Sequence, residues 1–324
     1  MRLSAIVPTH NRPGELRHCL RTLQAQNVDP AALEVVVVDD GSASDMAALV
    51  AEVAEDGPIE MRCERLPLTG LNGARNRGAA VSSGELLAFL DDDTLISPGW
   101  AAALVRAFEQ HRCAAVGGRV ELQLDGPQPG WLASRRYYLA EYDFGADSFW
   151  IETELIDGRD ALPVGANCAV RRVDFDRLGG FRVGLDRIGG SLVSNGDTEF
   201  FRRLRAAGGR MRYEPEASVI HCVPADRLTL RFFARRHYAQ GVSDELLRML
   251  EGERASLSHR LQLIRKLGEG AKLLSTDVLR GRGTVNGRFQ VNYWAGRLAA
   301  VGKRPPILAG RGTGEGPPAP PSHA

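Results

Sequence analysis

Acids stand where a buried strand should end. In "ELLAFLDDDTLISPGW", residues 85–100, five apolar residues run straight into Asp91, Asp92 and Asp93. Adjacent carboxylates repel one another and resist leaving water, so this run needs open solvent or a positive group among the three. A divalent cation such as Mg²⁺ or Mn²⁺ meets that need, because hard cations prefer oxygen and are shared between carboxylates and substrate phosphates. A solvated acidic turn capping the next helix meets it equally well. "VVVVDDGS" repeats the design, with Asp39 and Asp40 after an apolar run and Gly41 permitting a tight turn. Its plain alternative is a strand-to-helix loop with Ser44 or Asp45 as the N-cap.

Those acids need elements to hold them. "LSAIVP", "LEVVVVDD", "IEMRCERL", "LLAFL" and "AAVGGRVEL" read as strands, and the β-branched run at 33–40 marks a strand covered on both faces. Between them, "ELRHCLRTLQAQ", "SDMAALVAEVAE", "ARNRGAAVSS" and "PGWAAALVRAFEQH" carry helical spacing. The alternation predicts an α/β fold, a mostly parallel sheet with helices on both faces, and such sheets bind ligands beyond the carboxyl ends of their strands. Here those ends are "PTHNR", "DDGSASD" and "DDD". Neither GxGxxG nor GxxxxGK[ST] follows a strand, which disfavours dinucleotide and P-loop sites.

Residues 123–165 read as irregular and aromatic-rich, with Trp131, Tyr137, Tyr138 and Trp150 able to stack on a sugar or to fill a core. "FFRRLRAAGGRMRYEPEASVIHCVP" reads as helix, glycine stop, strand, proline turn and strand, and 227–300 as basic helices. These divisions fall at 1–122, 123–226, a helical C-terminal extension at 227–302 and a disordered Gly/Pro-rich tail at 303–324.

Composition narrows the class. The 324 residues are 44% hydrophobic and 25% charged, and 41 Lys and Arg nearly balance 40 Asp and Glu. That is a soluble globular profile with no general case for nucleic acid. The five scattered cysteines form no CxxC, which suits a reducing compartment. No signal-peptide pattern or membrane-length apolar run occurs, so the expected location is cytoplasmic, with peripheral contact at the inner face of a membrane left open.

Taken in order, "VPTHNR", "VVVDDGS", "GARNRGAA", "LLAFLDDD", "LPVGANCAVRR", "GGF", "NGDTEF" and "YEPEASVIHCVP" resemble a bacterial family 2 glycosyltransferase of GT-A fold over about residues 3 to 240. The resemblance implies a nucleoside-diphosphate sugar donor (a UDP-sugar first), a divalent metal (Mn²⁺ or Mg²⁺) and inversion at the anomeric carbon. It also implies that 1–122 is a nucleotide-sugar-binding half and 123–226 an acceptor-binding and catalytic-base half. The acceptor would be a carbohydrate, a lipid-linked saccharide or a small molecule. It assigns Pro8, Thr9, Arg12, Asp40, Arg75, Asp91 and Asp92 to the nucleotide, and Asp93, with His221 as a possible further ligand, to the metal. Asp197 falls on the general base, which the chemistry requires because an alcohol is a poor nucleophile until its proton is accepted. Asn167 and Glu199 fall beside the donor or acceptor sugar, and Gly165 would let backbone approach a ligand.

Each assignment has a plainer counterpart. Asp197 could cap its helix, His221 could be structural, and "GAN" could be a tight turn. Gly196 departs from the family pattern, which commonly has Glu there. Arg231, Arg235 and Arg236 could clamp a diphosphate or form a solvated face. Leu257, Leu261, Ile264 and Leu267 make an amphipathic helix whose apolar side is expected to pack on the catalytic domain, with a membrane surface as the alternative. Two other classes stay open: another metal-dependent nucleotide-sugar enzyme such as a nucleotidyltransferase, and a non-catalytic nucleotide-sugar-binding relative.

Overall fold

A computed structural model of the chain describes residues 1–156, 158–280 and 283–302; the tail expected at 303–324 lies outside the described residues. The chain begins β1 (Leu3–Thr9), α1 (Pro13–Gln24), β2 (Leu33–Asp40), α2 (Met46–Glu55), β3 (Glu60–Leu66), α3 (Leu71–Val81) and β4 (Leu86–Leu90). Next come β5 (Thr94–Ile96), α4 (Trp100–His111) and β6 (Ala115–Leu124). After a 3₁₀ turn at Ala133–Leu139, the short strands β7 (Phe149–Trp150), β8 (Leu155–Ile156) and β9 (Arg159–Asp160) precede β10 (Asn167–Arg171). Then follow α5 (Arg172–Leu178), α6 (Gly196–Ala206) and β11 (Met211–Val223), and the helices α7 (Leu230–Leu250), α8 (Leu257–Leu279) and α9 (Val285–Ala300).

Among the described residues, nine strands make one sheet in the order β3-β2-β1-β4-β10-β6-β11-β5, with β7 also on β11. Strands β1, β2 and β4 are buried along their whole length, as the apolar stretches 5–7, 35–38 and 86–90 require of strands covered on both faces, and the polar Ser4 and Glu34 near the starts of β1 and β2 are hydrogen-bonded to each other. β3, β2, β1 and β4 pair in parallel, as do β6 and β11. β10 enters between these groups antiparallel to both neighbours, with Asn167 opposite Leu90. This reversal sets the start of β10 beside the acids that follow β4. Pro215 does not end a strand as expected. β11 runs through it, and the register against β6 shifts between Glu214 and Val219, where a residue without an N–H costs the ladder nothing.

One apolar core runs from Leu3 to Val219, and a second gathers Leu132, Leu139, Val223, Leu228, Phe233 and Phe289 where the C-terminal helices meet the sheet. Trp131 packs edge-on against Phe233 and Phe289 in this second core, and Trp150 faces the Arg210 guanidinium, so both are packing residues. Helices α7 and α9 cross with no room to spare. A Cβ on Gly241 would lie 2.0 Å from the Tyr293 carbonyl oxygen, and one on Gly296 would lie 2.0 Å from that of Tyr238. Glu245, wholly buried, ties the three helices together by accepting from Arg248 Nη2 at 2.6 Å and Arg297 Nη2 at 2.8 Å, with His259 Nε2 at 3.0 Å.

The amphipathic face of α8 does not pack on the catalytic domain. Leu257, Leu261 and Ile264 are 74%, 57% and 52% exposed. A different face turns inward: Leu263 and Gly270 are buried, and Gly270 abuts Gln290 and Val291 of α9. No described helix is long and apolar enough to cross a membrane.

Candidate active site: two cavities that meet at Asp91

The three acids after β4 meet different partners. Asp91 accepts from Arg75 Nη2 at 3.0 Å. Asp92 is buried and accepts from Thr9 Oγ1 at 2.8 Å and Arg12 Nη1 at 3.0 Å. Asp93 is buried as well, and its Oδ2 accepts from Arg12 Nη1 at 2.9 Å and Arg227 Nη1 at 3.4 Å. Positive charge therefore does stand among the acids, and much of it is the chain's own guanidinium. Burial pushes the Asp92 carboxyl up to about 6, against the pull of Arg12. Burial works in the same direction on Asp93, but there the bond and charge of His221, with Arg12 and Arg227, win and hold the carboxyl below its ordinary range.

His221 stands opposite the other oxygen of Asp93, Nε2 to Oδ1 at 3.2 Å. Its Nδ1 lies 2.8 Å from the Leu139 carbonyl oxygen, which can only accept, so Nδ1 carries a proton. In the neutral ring Nε2 then turns a lone pair toward Asp93 Oδ1, a buried oxygen with no other donor among the described residues. Two lone pairs in this arrangement require a cation between or beside them, either a second ring proton or a metal. The pair fits two positions in the shell of a divalent ion. Among the described residues no cluster of three His, Cys, Asp or Glu side chains forms a closed metal cage, so the other positions would fall to substrate oxygens and water.

A cavity of about 310 Å³ opens over these groups, lined by Pro8, Thr9, Arg12, Asp40, Asp91, Asp92, His221 and Arg227. The loops at the ends of β1 and β2 are stapled together, with Asn11 N donating to Ser42 Oγ at 2.9 Å and Ala43 N donating to Asn11 Oδ1 at 2.8 Å. Asp40 is engaged at both oxygens, accepting from the Thr69 and Gly70 N–H groups at 2.6 and 2.9 Å.

A second cavity, about 440 Å³, adjoins the first, and Leu71, Asp91, Tyr138 and Arg187 line both. Asp197 lies in the larger one at the start of α6, its Oδ1 accepting from Thr198 N at 2.9 Å and its Oδ2 from Gly165 N at 2.8 Å. Gly165 also accepts from Arg75 Nη2 at 2.9 Å. A continuous chain, Asp91 to Arg75 to Gly165 to Asp197, thus fixes the carboxylate of one cavity relative to the acids of the other. Gly165 must be glycine for this: a Cβ would lie 2.4 Å from Arg75 Nη2. The backbone approach expected there is made, by a guanidinium of the same chain.

Two expected site residues are not brought to either cavity. Asn167 is fully buried in the core, where Trp100 Nε1 donates to its Oδ1 at 2.9 Å and its Nδ2 donates to the Arg119 and Ala217 carbonyl oxygens at 2.9 and 2.7 Å. Its side-chain hydrogen bonds tie β10 to α4, β6 and β11. Glu199 accepts from Arg182 Nε at 2.6 Å and Arg203 Nε at 2.7 Å, behind the cavity wall. Gly196 has a local cause, since a Cβ there would lie 2.1 Å from Asn72 Nδ2. Asn72 occupies the space a larger side chain at 196 would need. Arg227 and Arg187 were not anticipated; nothing but their position after β11 and in the glycine-rich loop at 179–190 marks them in the sequence.

The profile of the family described as "Glycosyl transferase family 2" matches residues 4–179. Succinoglycan biosynthesis protein ExoM of Rhizobium meliloti is 32% identical over 237 residues, 72% of this chain and 71% of that protein. Glucosyl-dolichyl phosphate glucuronosyltransferase of Haloferax volcanii is 25% identical over 257 residues, 77% and 78% of the two chains. The mannosyltransferase PcManGT from Pyrobaculum calidifontis, solved in complex with GDP-Man and Mn²⁺, superposes with a TM-score of 0.61 over 92% of this chain and 86% of that one, at 19% identity, a likeness of fold.

Proposed function

The chain belongs to glycosyl transferase family 2 and is a glycosyltransferase, and from that premise we propose that it transfers a sugar from a nucleoside-diphosphate sugar to an acceptor hydroxyl with inversion. The observation that carries this is the hydrogen-bonded chain from Asp91 to Asp197 across the meeting of the two cavities. It holds a carboxylate at a fixed distance from a separate cluster of acids and arginines. The smaller cavity takes the nucleoside diphosphate, with Pro8, Thr9, Arg12 and Asp92 on its walls and Arg227 and Arg187 supplying positive charge. A UDP-sugar is the first donor to test.

Asp93 and His221 would hold Mn²⁺ or Mg²⁺, which when bound supplies charge that stabilises the departing diphosphate. Support comes from the buried Asp93 Oδ1, which among the described residues only His221 Nε2 faces, and from the Mn²⁺ named with the related mannosyltransferase. Asp197, its carboxylate oriented by the Gly165 and Thr198 N–H groups, accepts the proton of the acceptor hydroxyl as that oxygen attacks the anomeric carbon. Arg75 keeps Asp91 and the Gly165 loop in register with it.

The relative from Haloferax is named for a dolichyl phosphate sugar, which favours a lipid-linked acceptor here. The exposed stripe on α8 suits that setting. Leu257, Leu261 and Ile264 are flanked by the exposed Arg260, Arg265 and Lys272, a basic amphipathic face that fits an anionic bilayer surface.

The test is turnover and binding of UDP-, dTDP- and GDP-sugars with Mn²⁺, Mg²⁺ or EDTA. D93A should abolish metal-dependent donor hydrolysis, and D197N should bind donor normally while losing transfer by about a hundredfold or more. Donor binding indifferent to both EDTA and D93A would refute the metal assignment, and full transfer by D197N would refute the base.

A further inference from the structure

Helix α7 turns one face to the larger cavity. Arg236, Gln240 and Asp244 follow one another at four-residue spacing and all line it, as does Tyr293 of α9. The glycine crossing at 241 and 296 lets Tyr293 Oη donate to Asp244 Oδ2 at 2.7 Å. Gln240 Nε2 and Asn195 Nδ2 donate to Asp244 Oδ1 at 2.7 and 2.8 Å. Both oxygens of Asp244 are therefore committed to neighbours other than Arg236.

Arg236 has no such match. Its one hydrogen bond among the described residues is long, Nη1 to the Leu192 carbonyl oxygen at 3.5 Å, and its Nε is buried without an acceptor. The guanidinium lies 5.7 Å from the centre of the Tyr138 ring. Three other arginines of the site have carboxylates: Arg12 has Asp92 and Asp93, Arg75 has Asp91, and Arg227 has Asp93. Arg187, which lines both cavities, has no ion pair among the described residues and adds to the uncompensated charge beside Arg236. Burial, aided by the like charge of Arg187, pushes the Arg236 guanidinium down to about 10, so it still carries its charge at neutral pH. Arg236 is half-buried, and a cation partly taken from water without a counter-ion costs stability unless a ligand supplies the opposite charge.

The reading of the two cavities given above says whose charge that is. Arg236 lines the larger cavity and not the smaller one assigned to the donor diphosphate. We propose that the acceptor carries an oxyanion, a phosphate or a carboxylate, which Arg236 binds in the larger cavity, and that this contact selects the acceptor. The selecting residue comes from α7, beyond the segment that matches the family profile. Asp197 in the same cavity then meets an acceptor held by its charge, with the committed Asp244, Gln240 and Tyr293 forming the wall beside it. Arg231 and Arg235 are exposed and take no part.

The experiment uses the full chain with Mn²⁺ and saturating UDP or GDP, so that the smaller cavity is filled. Binding of glucose 1-phosphate, methyl β-glucuronide and neutral methyl β-glucoside is measured calorimetrically for wild type, R236Q and R236K. The wild type should bind at least one anionic probe about tenfold or more tightly than the neutral glycoside, the scale of a charge-assisted hydrogen bond. R236Q should erase that preference while leaving nucleoside diphosphate affinity and neutral glycoside affinity unchanged and the melting temperature no lower than that of the wild type, and R236K should keep part of it. Preference for the phosphate identifies a phosphorylated acceptor, and preference for the uronide a carboxylated one. Equal binding of all three probes overturns the proposal, and so does an R236Q effect that falls on the nucleoside diphosphate instead. If the wild type binds no nucleoside diphosphate, the glycosyl-transfer reading fails and the proposal falls with it. A mutant that no longer folds is replaced by R236M, judged by the same criteria.

Discussion

Replacing Asn167 with alanine separates a binding residue from a core residue. The amide is fully buried and makes three hydrogen bonds, one from the Trp100 indole and two to backbone carbonyl oxygens of β6 and β11. N167A leaves an indole N–H and two carbonyl oxygens buried without these partners, each worth about 1 kcal/mol or more, and opens a small void besides. We expect a loss of about 4 kcal/mol, which at roughly 2–3 °C per kcal/mol for a chain of this size lowers Tm by about 10 °C. Thermal melting by circular dichroism reads this directly. Donor KM, measured well below the mutant's melting range, should change by less than about threefold, since Asn167 lines neither cavity. A Tm within 2 °C of wild type together with a tenfold rise in donor KM would refute the core assignment and return Asn167 to the sugar.

Ala at position 196 should destabilise by about 1–3 kcal/mol through its contact with Asn72, and N72G should relieve part of that loss in a double-mutant cycle; additive effects would show that Asn72 is not the cause. E245Q should lose about 3 kcal/mol at pH 7, because it removes the charge that Arg248, Arg297 and His259 surround. Burial acts to raise the Glu245 carboxyl, but those bonds outweigh it and hold it below the ordinary 4.5. Its contribution is therefore present above about pH 4.5 and fades as pH falls through the lowered value, so the gap between wild type and E245Q should narrow in acid. A gap independent of pH would show that the charge is not what stabilises the helices. L261E/I264E should abolish sedimentation with vesicles of phosphatidylglycerol and phosphatidylcholine without altering Tm, whereas unchanged sedimentation, or a wild-type dimer lost in the variant, would assign the α8 stripe to another partner.

The strand ends were legible because 5–7, 35–38 and 86–90 are continuous apolar stretches, each followed at once by polar residues or a proline and threonine. Reading their order was enough to bring "PTHNR", "DDGS" and "DDD" together. Asn167 was not legible, because its environment depends on β10 entering antiparallel between β4 and β6, a long-range pairing that leaves no local mark. Glu199 could have been caught. Two positions on a helix differ by about 200° round the axis, so with Asp197 facing the cavity its neighbour two residues on faces away. Arginine roles were the least legible. Arg231, Arg235 and Arg236 share a sequence neighbourhood, yet only the last turns into a cavity, and the α8 stripe has the same spacing whether it is covered or bare.

The wall shared by the two cavities has a consequence for how they fill. Leu71, Asp91, Tyr138 and Arg187 belong to both, so whatever orders them from one side changes what is met from the other. Occupancies that share a wall are thermodynamically linked, and the linkage is reciprocal: a donor that improves acceptor binding by some factor is itself held tighter by the acceptor by the same factor. Because Arg187 carries charge at that boundary, two anionic ligands should compete for it and weaken one another by the same factor, whichever arrives first. Two half-sites separated by a rigid septum would give independent isotherms; these would not.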